Sequence, residues 1–331
     1  MVKYKKDITF YHIFKAESRK KMVRKISLKQ IAKECGFSVS LVSAVLSGRQ
    51  GVNRCSGETS ARIKECAKKL GYVPNRLAQA VVTGKSPIIL LSLREEAPGE
   101  PEMLNFYLND LLIDGSRRFA EQGIYMLYMP YRTEYEQVEQ IRTLASSGII
   151  SGVIANIFSS TKDLPLYEFL EETQLPAVIL GFPKSERLVS IGIDNSPIDR
   201  YIQHFAETKG FSRGMQLMLD LENGGFCCKD RIPFTREDIE KHDTLFFAPG
   251  FSCYRKLVKD FPEILPRLVL LEDTRFYIQT GSPAILIPSA NPQAMELACE
   301  LLVPWTRNGQ EPEQKKHIIQ RSLEHVQIIQ P

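Results

Sequence analysis

Residues 26–48, ISLKQIAKECGFSVSLVSAVLSG, admit few structures other than two short helices joined by a tight turn. Ser27 can cap the exposed N–H groups of a first helix, and Gln30, three residues on, can reach back to complete a capping box. Leu28, Ile31, Ala32 and Cys35 recur at helical spacing, so one narrow apolar face can be buried while Lys29, Lys33 and Glu34 stay in water. Gly36 stops the helix. Ser38 offers a second N-cap, Leu41, Val42, Val45 and Leu46 a second apolar stripe, and Gly48 a second stop. Two helices linked around a glycine match the helix-turn-helix pattern, whose second helix presents its N-terminal residues to base edges in the major groove. Alone, the stretch also reads as an ordinary helical hairpin; the residues that follow separate the two.

Residues 58–70, ETSARIKECAKKL, predict a third amphipathic helix with Ile63, Ala67 and Leu70 on one face, closed by Gly71. Pro74 then breaks the chain, Asn75 can cap, and Arg76 to Thr83 are helix-compatible up to Gly84. A helix of barely two turns is unstable alone in water.

In order, Ser27-Leu28-Lys29-Gln30-Ile31-Ala32, Gly36-Phe37-Ser38, Val42-Ser43 and Leu70-Gly71-Tyr72-Val73-Pro74-Asn75-Arg76-Leu77-Ala78 resemble the lactose-repressor family of bacterial transcription regulators. The resemblance implies an all-α helix-turn-helix headpiece (26–73) and a hinge helix (74–85) that folds in the minor groove when two subunits meet on an operator. It further implies an α/β periplasmic-binding-protein-like core (86–331) of two Rossmann-like subdomains, which dimerises and binds a small sugar-like effector. The implied partners are a double-stranded DNA operator of pseudo-palindromic sequence and a second copy of the chain; no cofactor is expected. The DNA-contacting positions carried over are Ser27, Leu28, Lys29, Ser38, Val39, Ser40, Ser43, Ala44, Ser47, Ser56 and Thr59, with Asn75, Ala78, Gln79 and Val81 in the hinge.

This sequence departs from its relatives where bases are read. Ala44 stands where an arginine is common, and arginine's bidentate contact to guanine is worth roughly 1–3 kcal/mol of discrimination. Val39 and Ala44 can touch thymine methyls and Ser40 can bond either edge, so an A·T-tolerant half-site is expected. Val81 replaces a leucine wedge, for which a smaller kink and an unchanged one are both open. Asn53-Arg54-Cys55 lengthens the loop before the third helix; Arg54 reads either as a phosphate contact or as a solvated residue.

Charge is distributed to match. Residues 1–85 carry 19 Lys and Arg against 5 Asp and Glu, a net +14, while the rest carries 24 against 34, a net −10. A basic quarter on an acidic body is the footprint of a protein that offers one end to a polyanion. Residues 1–25 precede the usual family start and hold nine of those cations against Asp7 and Glu17. They read as a solvated tail or a mis-chosen start codon, or as an arm adding phosphate contacts and salt sensitivity. No apolar run approaches a membrane span and no signal-peptide core precedes the headpiece, so a cytoplasmic protein is expected. Seven cysteines without CxxC spacing argue against a disulfide framework or a zinc site, and Cys35 and Cys66 read as core. Walker, GxGxxG, GxSxG and HExxH patterns are missing, and His12, His204, His242, His317 and His325 are scattered, so no catalytic or metal set is predicted and an enzyme is disfavoured.

From residue 86 short apolar β-forming runs alternate with helical stretches: 87–93, 124–129, 152–157, 177–182 and 189–194, with helices near 103–122 and 134–147. That alternation predicts a parallel sheet covered on both faces. Runs 215–221, 244–248 and 267–272 predict a second subdomain, and 284–287, a helix near 292–303 and the C-terminal HIIQ region finish the core. Only residues 214–243 are left for a segment that in relatives holds two strands and two helices, so at least one helix-strand unit must be missing or shrunken. By resemblance the effector would meet Phe106, Arg231 and Glu272, although Ile-Pro-Phe after Arg231 starts no helix and Pro249-Gly250 replaces an Asn-Asp pair. A changed or degenerate cleft is therefore expected, and with it an alternative function as a ligand-independent, architectural DNA-binding protein.

Overall fold

A computed structural model describes residues 26–47, 55–73, 85–94, 103–156, 164–219, 226–228, 232–274 and 279–331. The chain divides into two compact units, 1–83 and 84–331. In the first, α1 (Leu28–Cys35), α2 (Val39–Ser47) and α3 (Gly57–Lys69) close on a core of Ile31, Ala32, Val42, Ile63 and Ala67. Cys35 and Cys66 lie at the margin of that core, as their positions on apolar helix faces predict. The hinge segment expected at 74–85 lies outside the described residues up to position 84.

The second unit contains two sheets. The first has the order β12-β5-β4-β3-β1-β2, all parallel, built from β1 (Ile88–Arg94), β2 (Tyr125–Tyr131), β3 (Gly152–Asn156), β4 (Ala177–Leu180), β5 (Val189–Asp194) and β12 (Lys316–Gln320). The inner strands β1, β3, β4 and β5 are apolar on both faces because both are covered. Ile89, Leu91, Ile154, Val178 and Ile191 face α4 (Met103–Glu121) and α10 (Asn291–Asn308). Leu90, Val153, Ala155 and Ile179, one residue out of phase, face α5 (Glu134–Ser146) and α6 (Leu164–Thr173).

The second sheet has the order β13-β11-β10-β9-β6. It joins β6 (Arg213–Gln216), β9 (Thr244–Pro249), β10 (Leu268–Glu272) and β11 (Ala284–Leu286) in parallel, with β13 (Gln327–Ile329) antiparallel at the edge. α7 (Ser196–Thr208) covers one face through Ile198, Ile202, Phe205 and Ala206, and α9 (Phe251–Asp260) the other through Cys253, Tyr254 and Leu257. Three crossovers connect the sheets: β5 into α7, β11 into α10, and β12 into β13.

The run 215–221 is not one strand. It divides into β6 and a two-residue β7 (Met218–Leu219), which turns back as a hairpin with β8 (Phe226–Cys227). Between β6 and β9 the described residues hold only that hairpin and the five-residue α8 (Arg236–Glu240), so the shortened segment leaves β6 at the sheet edge. Its outward backbone is covered by a side chain: Gln203 Nε2 donates to the Ser212 carbonyl at 3.1 Å, and Gly214 N–H donates to Gln203 Oε1 at 3.0 Å. A Cβ at Gly214 would lie 2.6 Å from the Ile202 carbonyl oxygen, so glycine is what lets the strand come this close to α7.

Candidate nucleic-acid interface and effector cleft

The headpiece is assembled by local hydrogen bonds that its sequence specifies. Ser27 N–H donates to Gln30 Oε1 at 2.8 Å and Gln30 N–H to Ser27 Oγ at 3.3 Å, a completed capping box on α1. Gly36, at φ 75°, takes the left-handed conformation that ends α1, and its N–H donates to the Ala32 carbonyl. Ser38 caps α2 by accepting from Leu41 N–H at 3.3 Å, and Ser56 caps α3 by accepting from Thr59 N–H at 3.2 Å. Ser27, Ser56 and Thr59 thus hold helix ends in addition to the DNA-facing role the resemblance gives them.

The start of α2 is open to solvent. Ser38, Val39 and Ser40 are exposed, Ser43 and Ala44 half-buried; Val39 is 41% exposed despite being apolar. Ser38 and Ser40 hydroxyls lie 3.2 Å apart. Leu28 is half-buried against the core while Lys29 is exposed beside it. Arg62 of α3 stacks its guanidinium over the Phe37 ring at 5.5 Å, which fixes a cation next to the turn. The Ser47 side chain, and Asn75, Ala78, Gln79 and Val81 altogether, lie outside the described residues, as does Arg54.

The second site is a cavity of about 350 Å³ in the α/β unit, beside the crossovers. Apolar Ile193, Ile198, Phe251, Leu271 and Ile287 line it together with polar Asn195, Gln216, Glu272, Asp273, Ser289, Asn291 and Arg321, and Asp110 of α4. Three helix N-termini meet there, and each finds an acceptor. Ser196 N–H at α7 donates to Asp194 Oδ1 at 2.8 Å, Phe251 N–H at α9 to Glu272 Oε2 at 2.8 Å, and Asn291 N–H at α10 to Ser289 Oγ at 3.2 Å.

Glu272 is therefore on the cleft wall, and both of its oxygens are engaged by backbone: Oε1 accepts from Asp273 N–H at 3.0 Å. Burial pushes its carboxyl above the ordinary range, opposed by those two bonds, which favour the charged form. Phe106 lies on α4, its side chain outside the described residues, and Arg231 lies outside them entirely. Sequence reasoning missed Arg321, whose guanidinium lines the cavity from the third crossover. Burial lowers its pKa, opposed by the negative charge of Asp273. The available signal was a lone arginine directly after the apolar strand HIIQ.

Among the described residues no helix is long and apolar enough to cross a membrane. No family model matches the sequence. The HTH-type transcriptional regulator MalR of Staphylococcus xylosus is 24% identical over 257 residues, covering 75% of this chain and 73% of that protein. Among solved structures, the lac repressor dimer bound to operator and the anti-inducer ONPF superposes with a TM-score of 0.62 at 14% identity, over 93% of this chain and 98% of that one. The complex of the transcriptional regulator CelR with cellobiose gives 0.54 at 16% identity, over 92% and 98%.

Proposed function

We propose that this chain, a transcription regulator of the lactose-repressor family, acts as a cytoplasmic, non-enzymatic homodimer that represses from a pseudo-palindromic operator. The single observation that carries the reading is the capped headpiece, which exposes the start of α2 on a strongly basic unit. In this reading Ser38, Val39, Ser40, Ser43, Ala44 and Ser47 enter the major groove, while Ser27, Leu28, Lys29, Ser56 and Thr59 position the headpiece on phosphates. Asn75, Ala78, Gln79 and Val81 form the hinge that enters the minor groove once two subunits pair. Residues 26–73, 74–85 and 86–331 are then headpiece, hinge and effector-binding core, with 1–25 a basic extension.

The cleft supports control by a small neutral carbohydrate. Its volume suits a small ligand, its wall alternates apolar and polar groups, and Asp110, Glu272 and Asp273 oppose an anion. The structural neighbour CelR was solved with cellobiose.

Selection of sites from random duplex DNA at physiological salt tests the DNA-binding half. A two-fold motif, A·T-tolerant in each half-site, is the expected result. Retained binding without an enriched motif would instead favour the architectural alternative, for which the apolar pair Val39 and Ala44 is the supporting observation.

A further inference from the structure

Arg321 is the first residue after β12, where the chain leaves the first sheet for the second. Its backbone N–H donates to the carbonyl of Asp194, the last residue of β5, at 3.1 Å, and so continues the ladder of the first sheet. Its Nε donates to the Pro288 carbonyl at 3.2 Å, in the crossover from β11 to α10. The side chain thus ties the third connection between the sheets to the second. Its two Nη groups make no hydrogen bond among the described residues, and the side chain lines the cavity that also presents the Asp273 carboxylate. A guanidinium edge and a carboxylate within one partly apolar cavity are a donor and an acceptor for vicinal hydroxyls, and Phe251, Ile193 and Ile287 can cover the C–H faces of a sugar ring.

We propose that Arg321 is the cation that engages the effector's hydroxyl oxygens in this chain and, through the same side chain, fastens the third crossover to the second. The inference rests on the small-carbohydrate reading above. It follows from the fork geometry of arginine: Nε holds Pro288 while the Nη edge stays directed to ligand in the same plane, a fixed fork that an ammonium does not present. A ligand bound to that edge sits on the connections between the two sheets.

The test compares wild type with Arg321→Lys, and with Arg321→Gln should the lysine variant fold poorly. Amide hydrogen exchange is followed at 287–291 and 321–326 without ligand, with 194–196 as an internal control, and thermal shifts are titrated with glucose, maltose and cellobiose. Expected are several-fold faster exchange at 287–291 and 321–326 and a carbohydrate response weakened by about tenfold or more, the scale of a lost charge-assisted bond. Unchanged crossover exchange would overturn the fastening role, and an unweakened response the ligand contact. A wild-type protein that responds to no carbohydrate would overturn the carbohydrate reading and the ligand contact together, leaving exchange to decide the fastening role by itself.

Discussion

Replacing Gln203 by alanine tests what covers the edge of β6. Gln203 Nε2 donates to the Ser212 carbonyl at 3.1 Å and to Glu207 Oε1 at 2.8 Å, and Oε1 accepts from Gly214 N–H at 3.0 Å. The carboxamide thus does for the edge of β6 what one residue of a neighbouring strand would do. Alanine leaves Gly214 N–H, partly buried beneath α7, without that acceptor. An unmet buried donor costs about 1–3 kcal/mol and a lost, solvent-reachable carbonyl bond about 0.5–1.5. A total near 2 kcal/mol is expected, equivalent to a fall of roughly 4–8 °C in the melting temperature of a unit this size.

Two-probe denaturation of the full chain, scored on the α/β transition, measures this. Gln203→Glu sharpens the result, because a carboxylate keeps the acceptor for Gly214 but repels the Ser212 carbonyl and Glu207. Its loss at neutral pH should therefore shrink on acidification, when a protonated glutamate can donate again. If Gln203→Ala stayed within about 0.5 kcal/mol of wild type, the surface-mutation range, the amide would not be holding the edge.

Three further predictions follow from single contacts. Ser38→Ala removes the acceptor for Leu41 N–H and should destabilise the headpiece by about 0.5–2 kcal/mol; Ser38→Asp should keep the cap yet lose DNA affinity, and equal affinity losses without a difference in melting would refute the division. Ala44→Arg should introduce a G·C preference worth roughly 1–3 kcal/mol at one position of each half-site, read by repeating the site selection. Glu272 has a carboxyl raised by burial, so its contribution to stability is complete at pH below its unfolded value and is lost as pH rises through its folded value. Wild type minus Glu272→Gln melting temperatures should fall with pH across that window; a flat difference contradicts it.

How far these features could be read beforehand depends on how local they are. The box between Ser27 and Gln30, the left-handed Gly36 and the cap on Ser38 each involve partners within four residues, so sequence spacing alone specified them. The alternation from 86 onward placed the first sheet because strands buried on both faces announce themselves as apolar runs. The shortage of chain between 214 and 243 was also countable. What filled the gap was not, because Gln203 and Gly214 meet only after α7 folds back on β6. The same holds for Arg321, whose side chain meets Pro288 of another crossover only once the two sheets are in place.

The shortened segment and the position of Arg321 bear on one mechanism. A ligand held mainly by side chains of one subdomain changes the relation between subdomains only insofar as the other also touches it. With Glu272 tied to backbone at Oε1 and Oε2, the proposed recognition falls on residues of the connections, among them Asn195, Ser289 and Arg321. Ligand free energy spent there would act on the connections between the two sheets directly, and a differential of about 1–3 kcal/mol between two arrangements suffices for the usual range of allosteric coupling. It follows that Arg321→Lys should reduce the carbohydrate-induced change in operator affinity by more than it reduces operator affinity measured without carbohydrate. A variant that lowered both equally would place Arg321 in general stability and leave coupling to other contacts.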